Sequence, residues 1–126
     1  MRLKLIALTA SIALSGGSAK ATDRVDLGDM VIDRTEVTIS AFAAFADRTG
    51  LVTMAEKEGG GFEWRAGWER RPGWTYRSPF GSHPSDSEPA VHVSWSEAAA
   101  FCEDAGGRLP TREEWTSAAY SEQRIQ

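Results

Sequence analysis

Cysteine occurs once in these 126 residues, at Cys102, and histidine twice, at His83 and His92. With so few soft and imidazole ligands, no Cys-x-x-Cys or His-x-x-x-His pair can be written, and no zinc site follows. No G-x-S-x-G stretch offers a serine on a strained turn. The glycine run "EGGGF" (58–62) lacks both the lysine and the following helix of a phosphate-cradling loop. Glu56, Glu58 and Glu63 are spaced as in a solvated loop rather than a calcium site. From the residues alone, no catalytic constellation is visible.

What is present begins with a leader-like layout. Met1-Arg2-Leu3-Lys4 is short and basic, and Leu5 to Leu14 is an apolar run of 10 residues. "SGGSAKA" follows, with Ala19 and Ala21 in an A-x-A arrangement. This is the three-part layout of a secretory signal peptide, cleaved after Ala21. The apolar run is too short to cross a bilayer as a helix. An N-terminal core helix is the competing reading, but the run has no amphipathic period and no acid precedes Asp23. Export would place the protein in the periplasm or outside the cell, with no membrane span left after cleavage. Removing residues 1–21 takes away Arg2, Lys4 and Lys20, leaving 11 basic residues against 18 acidic ones, a net charge of −7 where the whole chain has −4. Such a chain is not built to hold nucleic-acid phosphates or an anionic membrane surface. In an oxidising compartment Cys102 is either a small buried hydrophobe or half of a disulfide whose partner is elsewhere.

Residues 22–126 are long enough for one domain with a modest core. Met30 to Ile32 read as a strand. Residues 38–50 read as a helix capped by Thr38, with Phe42, Phe45 and Ala46 on one face and Gly50 ending it. Residues 51–90 hold four of the five prolines and show no helical or strand period. Their tryptophans, Trp64, Trp68 and Trp74, argue for an ordered loop segment. Arg65, Arg70, Arg71 and Arg77 are expected to satisfy its backbone carbonyls. "AVHVSW" (90–95) reads as a buried strand in which His92 points away from Val91 and Val93, a structural residue rather than a metal ligand. Ser94 and Glu97 form a capping box for a helix burying Ala98, Phe101, Cys102 and Ala105, and Gly106-Gly107 end it. Thr111 and Glu114 form a second box, opening a helix with Trp115, Ala118 and Ala119 inward.

Four ordered blocks, "VIDRTEVTISAFAAFADRTG", "AEKEGG", "PGWTYRSPFG" and "EPAVHVSWSEAAAFCEDAGGRLPTREEW", resemble the formylglycine-generating enzyme, or sulfatase-modifying factor, family from about Met30 to Ala119. Trp74, Arg77, His92, Trp95, Cys102, Arg108, Leu109, Pro110, Thr111 and Trp115 carry the motif and are expected to be structural rather than catalytic. The resemblance implies an α+β variant of the C-type lectin fold with long loops. It also implies a domain of which this chain is the N-terminal portion, truncated before the catalytic half. The family's best-known members use oxygen and a copper ion on two cysteines to oxidise a cysteine of a nascent sulfatase to formylglycine. Those paired cysteines, and the calcium loops, follow the R-L-P-T block in the family. Copper and calcium are therefore expected only in a full-length parent, and no cofactor or metal residue is assigned here. Cys102 matches a cysteine that is structural and often disulfide-bonded in the family, with a partner at or beyond Ala119. Arg112 and Glu113 depart from the usual Glu-Ala pair, and the likeness fades at about Tyr120. Three readings stay open: part of an exported oxidase acting on a protein or small thiol, a non-catalytic lectin-like binding domain, and an inactive fragment. The patch around Trp115 and Phe101 is expected to be partly uncovered.

Overall fold

The computed structural model describes residues 6–7 and 23–122, with the side chains of residues 23–120. Four helices and six short strands are mixed along the described residues, consistent with an α+β domain. Strands β1 (Ile6–Ala7), β2 (Arg24–Asp26), β3 (Val31–Asp33) and β6 (Gly107–Arg108) form an antiparallel sheet in the order β2-β3-β1-β6. Ile6 pairs with Ile32 on one side and Arg108 on the other. The rest of the expected leader lies outside the described residues.

Helix α1 (Ile39–Thr49) starts and stops where its side chains dictate. The Thr38 hydroxyl accepts from the Ala41 amide, and Gly50 turns left-handed at φ 73° to close the last turn. Its inner face contributes Phe42, Phe45 and Ala46 to the core. Helix α3 (Trp95–Asp104) packs against it through Ala98, Phe101 and Cys102. Phe42 stacks on Phe101 at 5.8 Å and meets Tyr76 edge-on at 4.8 Å. Such pairs add about 0.5–1.5 kcal/mol each beyond their buried area. The Tyr76 hydroxyl is buried there without a hydrogen-bond partner, and burial pushes its ionisation upward. At the rim, Arg48 of α1 pairs with Asp104 of α3.

Several expectations need correction. Phe101 is buried, only 9 % exposed, because α1 covers it; Ala105 is exposed beyond the end of α3. Residues 90–95 are not a strand. Pro89 makes a single bridge to Thr38, and His92 takes φ 57°, a left-handed conformation that no strand ladder accommodates. Residues 51–90 contain regular elements after all: a one-turn helix α2 (Met54–Lys57) and a hairpin of β4 (Phe62–Trp64) with β5 (Trp68–Arg70). Trp64 and Trp68 are exposed, so their burial is not what orders the segment. Of the four arginines, Arg70 does bond carbonyls, those of Glu58 and Gly60. Arg65, Arg71 and Arg77 are held by carboxylates, at Glu63, at Glu63 and Glu69, and at Asp47 and Glu56 respectively.

Candidate functional site

Two helix N-termini are tied together by one buried carboxylate. Glu97 accepts the Ser94 amide at 2.8 Å in its own capping box. Its other oxygen accepts the Met54 amide at 2.6 Å, 43 residues away in sequence. Thr53 and Glu56 close a second box on α2. Orphan amides at both helix starts are thereby satisfied, and the negative charge suits both dipoles. The result fixes the 54–62 segment opposite the 92–94 segment.

Between them lies a cleft of about 260 Å³. Met54, Ala55, Glu58 and Gly60 to Phe62 form one wall, and His92 to Ser94 the other. The glycines are sterically required. A β-carbon on Gly60 would run into the Arg71 carbonyl oxygen, and one on Gly61 into the His92 ring. Their backbone is held by Gly61 N–H donating to the Trp74 carbonyl at 2.7 Å and Arg71 N–H to the Gly61 carbonyl at 2.8 Å. His92 Nε2 lies 2.9 Å from the Pro79 carbonyl oxygen, which can only accept. In the neutral ring Nε2 therefore carries the proton, and Nδ1, the acceptor, faces Gly61. Trp74 backs this ring at 5.8 Å and packs edge-on against Phe80. A non-glycine residue at positive φ, wedged by three neighbours in a cleft wall, is stored strain of the kind found at functional sites.

Of the ten motif residues, only His92 and its support Trp74 belong to this cleft. Arg77 bridges Asp47 and Glu56, with its guanidinium 4.8 Å over the Tyr76 ring. Trp95 is exposed on the first turn of α3. Cys102 is a buried free thiol whose pKa burial pushes up to about 11, so it is not a thiolate nucleophile. Arg108 holds Glu114 with two bonds of 2.8 and 2.7 Å, Leu109 packs on the core, and Pro110 is half-buried. Thr111 caps helix α4 (Arg112–Glu122). Trp115 is 42 % exposed, on a second, apolar groove with Val25, Leu27 and Ile32. Sequence reasoning missed the opposite wall of the cleft. The signal was the "EGGGF" run itself, weighed only as a phosphate loop and not as a place of close backbone approach.

A two-cysteine copper site does not fit these residues, since the single thiol is buried and protonated. Among the described residues no three His, Cys, Asp or Glu side chains are grouped to hold a metal ion. No described helix is long and apolar enough to cross a membrane.

The mixed helices and short strands, with this cleft built on the A-E-K-x-G-G and H-V-S-W segments, define a class that comparison with known proteins makes explicit. The profile of the sulfatase-modifying factor enzyme 1-like domain matches residues 6–125. The chain belongs to that family. A formylglycine-generating enzyme of Thermomonospora curvata is 37 % identical over 116 residues, covering 75 % of this chain and 38 % of its own length. One from Streptomyces coelicolor is 37 % identical over 112 residues, covering 70 % and 35 %. An inactive C-alpha-formylglycine-generating enzyme 2 of Mus musculus is 45 % identical over 56 residues, covering 41 % and 18 %. The chain thus spans little more than a third of the length of the first two relatives.

Proposed function

We propose that this chain is the substrate-holding portion of a formylglycine-generating-type domain. The complete domain oxidises a cysteine of an exported protein such as a sulfatase, and the present residues bind without reacting. The observation that carries this is the pairing of a preformed cleft, walled by Gly60, Gly61 and His92, with a lone cysteine that is buried and protonated. The cleft can take an extended segment, while the Ser94 hydroxyl beside it is engaged with the Glu97 amide. Copper and calcium belong, in this reading, to residues outside the present 126. A periplasmic or secreted location rests in this reading on the basic, apolar and A-x-A layout of residues 1–21, although Ile6–Ala7 of that stretch pair with β3 and β6.

A second reading is favoured by the 45 % local identity to the inactive mouse relative: a non-catalytic binding domain of the same family. The intact mass of the protein from its native host is the first test. A mass well above that of residues 22–126 is expected, and conversion of a cysteine peptide to the aldehyde by that species supports the oxidase. A mass equal to residues 22–126 removes the oxidase reading for this molecule. A larger species that binds the peptide and leaves its thiol unchanged selects the non-catalytic reading.

A further inference from the structure

The leader-like stretch supplies an inner strand of the four-stranded sheet. Strand β1 (Ile6–Ala7) runs antiparallel to β3 on one side and to β6 on the other. Ile6 is paired with Ile32 and Arg108, and Ala7 with Val31 and Gly107. In the order β2-β3-β1-β6, β3 and β6 are not neighbours. Adjacent strands lie about 4.8 Å apart, so β3 and β6 stand roughly 9.5 Å from each other, too far to bond directly. Only an extended chain between them can join the two ladders. The family match begins at residue 6 and so takes in this strand.

Both flanking edges are anchored without β1. On one side β2 and β3 make their own hairpin, in which the Leu27 N–H donates to the Met30 carbonyl at 2.9 Å. Arg24 on Asp33 and Arg34 on Asp23 reinforce it. On the other side β6 follows the end of α3, where the Gly106 N–H donates to the Glu103 carbonyl at 3.0 Å, and Arg108 holds Glu114 in the first turn of α4. A cut after Ala21 therefore takes out the joining strand and leaves two strand edges with main-chain groups facing a gap one strand wide. We propose that this gap is a peptide-binding slot whose occupant is the protein's own N-terminal segment, centred on Ile6–Ala7, and that processing of the leader opens it. Attached, the segment closes the sheet; removed, it exposes two edges at once. Recognition is by main-chain pairing, as in strand addition. Charge assists it, because residues 1–10 carry Arg2 and Lys4 and no acid, whereas the chain after Ala21 has 11 basic and 18 acidic residues. Strand β1 also links β3 to Arg108, the anchor of α4, so its loss should loosen the first turn of that helix.

The test uses the full chain with a site-specific protease sequence inserted between Gly16 and Gly17, followed by amide hydrogen exchange. Cutting the chain and washing out the freed segment is expected to speed exchange over Val31–Ile32 and Gly107–Arg108 about tenfold or more. A synthetic peptide of residues 1–10 should restore the slow rates. The same peptide N-methylated at Ile6 and Ala7 keeps its side chains and charges but loses the ladder donors, and should restore nothing. Unchanged exchange after the segment is gone overturns the slot, and so does equal rescue by the methylated peptide, which would mean apolar or ionic adhesion in place of pairing. If the cut protein unfolds, the plain peptide is expected to refold it and the methylated one to fail; no refolding overturns the proposal. If the cut segment stays bound through gel filtration, Ile6→Pro, which cannot donate, is expected to release it, and retention in both overturns the proposal.

Discussion

A single hydrogen atom in place of a methyl group decides whether the cleft exists. Gly61 lies so close to the His92 ring that Gly61→Ala must displace the imidazole, and that ring is held on its far side by the Pro79 carbonyl. Overpacking of this kind costs about 1–3 kcal/mol. A lower midpoint of chemical unfolding is expected, with loss of peptide binding, whereas Gly67→Ala, with open space around it, should be nearly silent. Cys102 makes the second residue-scale prediction. Its thiol ordinarily ionises near 9.0 and is pushed to about 11 chiefly by burial, with Asp33 and Glu103 adding repulsion. The folded state thus favours the neutral thiol. That support is whole below pH 9.0 and is lost as pH rises through about 11, on the order of 2 kcal/mol by the upper end. Unfolding midpoints measured from pH 8 to 11 should fall more steeply in the native chain than in Cys102→Ala; parallel curves would remove the thiol as the cause.

Between elements, Glu97 matters most because it serves two helices at once. Glu97→Ala leaves the Met54 and Ser94 amides without their acceptor in a half-buried site, at about 1–3 kcal/mol for each such loss. The expected result is faster amide exchange at Met54 and Ser94 together; exchange at Ser94 alone would show that α2 is held by its own capping box. At α4, the Arg108 guanidinium and the Thr111 amide hold the Glu114 carboxyl down at about 2 from its ordinary 4.5. Its support is complete above pH 4.5 and disappears as pH falls through about 2, so α4 should fray in that window in the native chain and over no such window in Glu114→Gln. These elements also show what the sequence can and cannot reveal. The starts of α1, α3 and α4 were legible because Thr38, Ser94 with Glu97, and Thr111 with Glu114 act within three residues. The bond from Glu97 to Met54 was not, since nothing local records a partner 43 residues away. The 90–95 strand failed for a related reason: Val91 and Val93 have strand character, but the wedge of Gly61 and Pro79 on His92 overrides it. The β4–β5 hairpin was not legible: its strands, "FEW" and "WER", are three residues each, too short to show a period, and "WER" does not alternate.

For the molecule as a whole, the two sides of the core are finished unequally. Around Phe42, Tyr76, Phe101 and Cys102 the packing is closed. On the side of the four-stranded sheet, Val25, Leu27 and Ile32 meet Trp115, Ala118 and Ala119 of α4 in an open apolar groove, with Asp33 and Arg34 at its edge. Asp33 is buried there, and desolvation raises its pKa despite the Arg24 guanidinium 3.1 Å away. Helix α4 only partly covers this surface, since Trp115 remains 42 % exposed. Contiguous apolar area of this kind drives association. Sedimentation of the purified chain should therefore show self-association that grows with concentration, and Trp115→Gln should shift it toward monomer without lowering the thermal midpoint by more than a degree or two, as for other surface changes of about 0.5 kcal/mol. A native chain that stays monomeric and unfolds in one cooperative step would mean that this groove closes within the chain itself, and that the core needs no further surface to complete it.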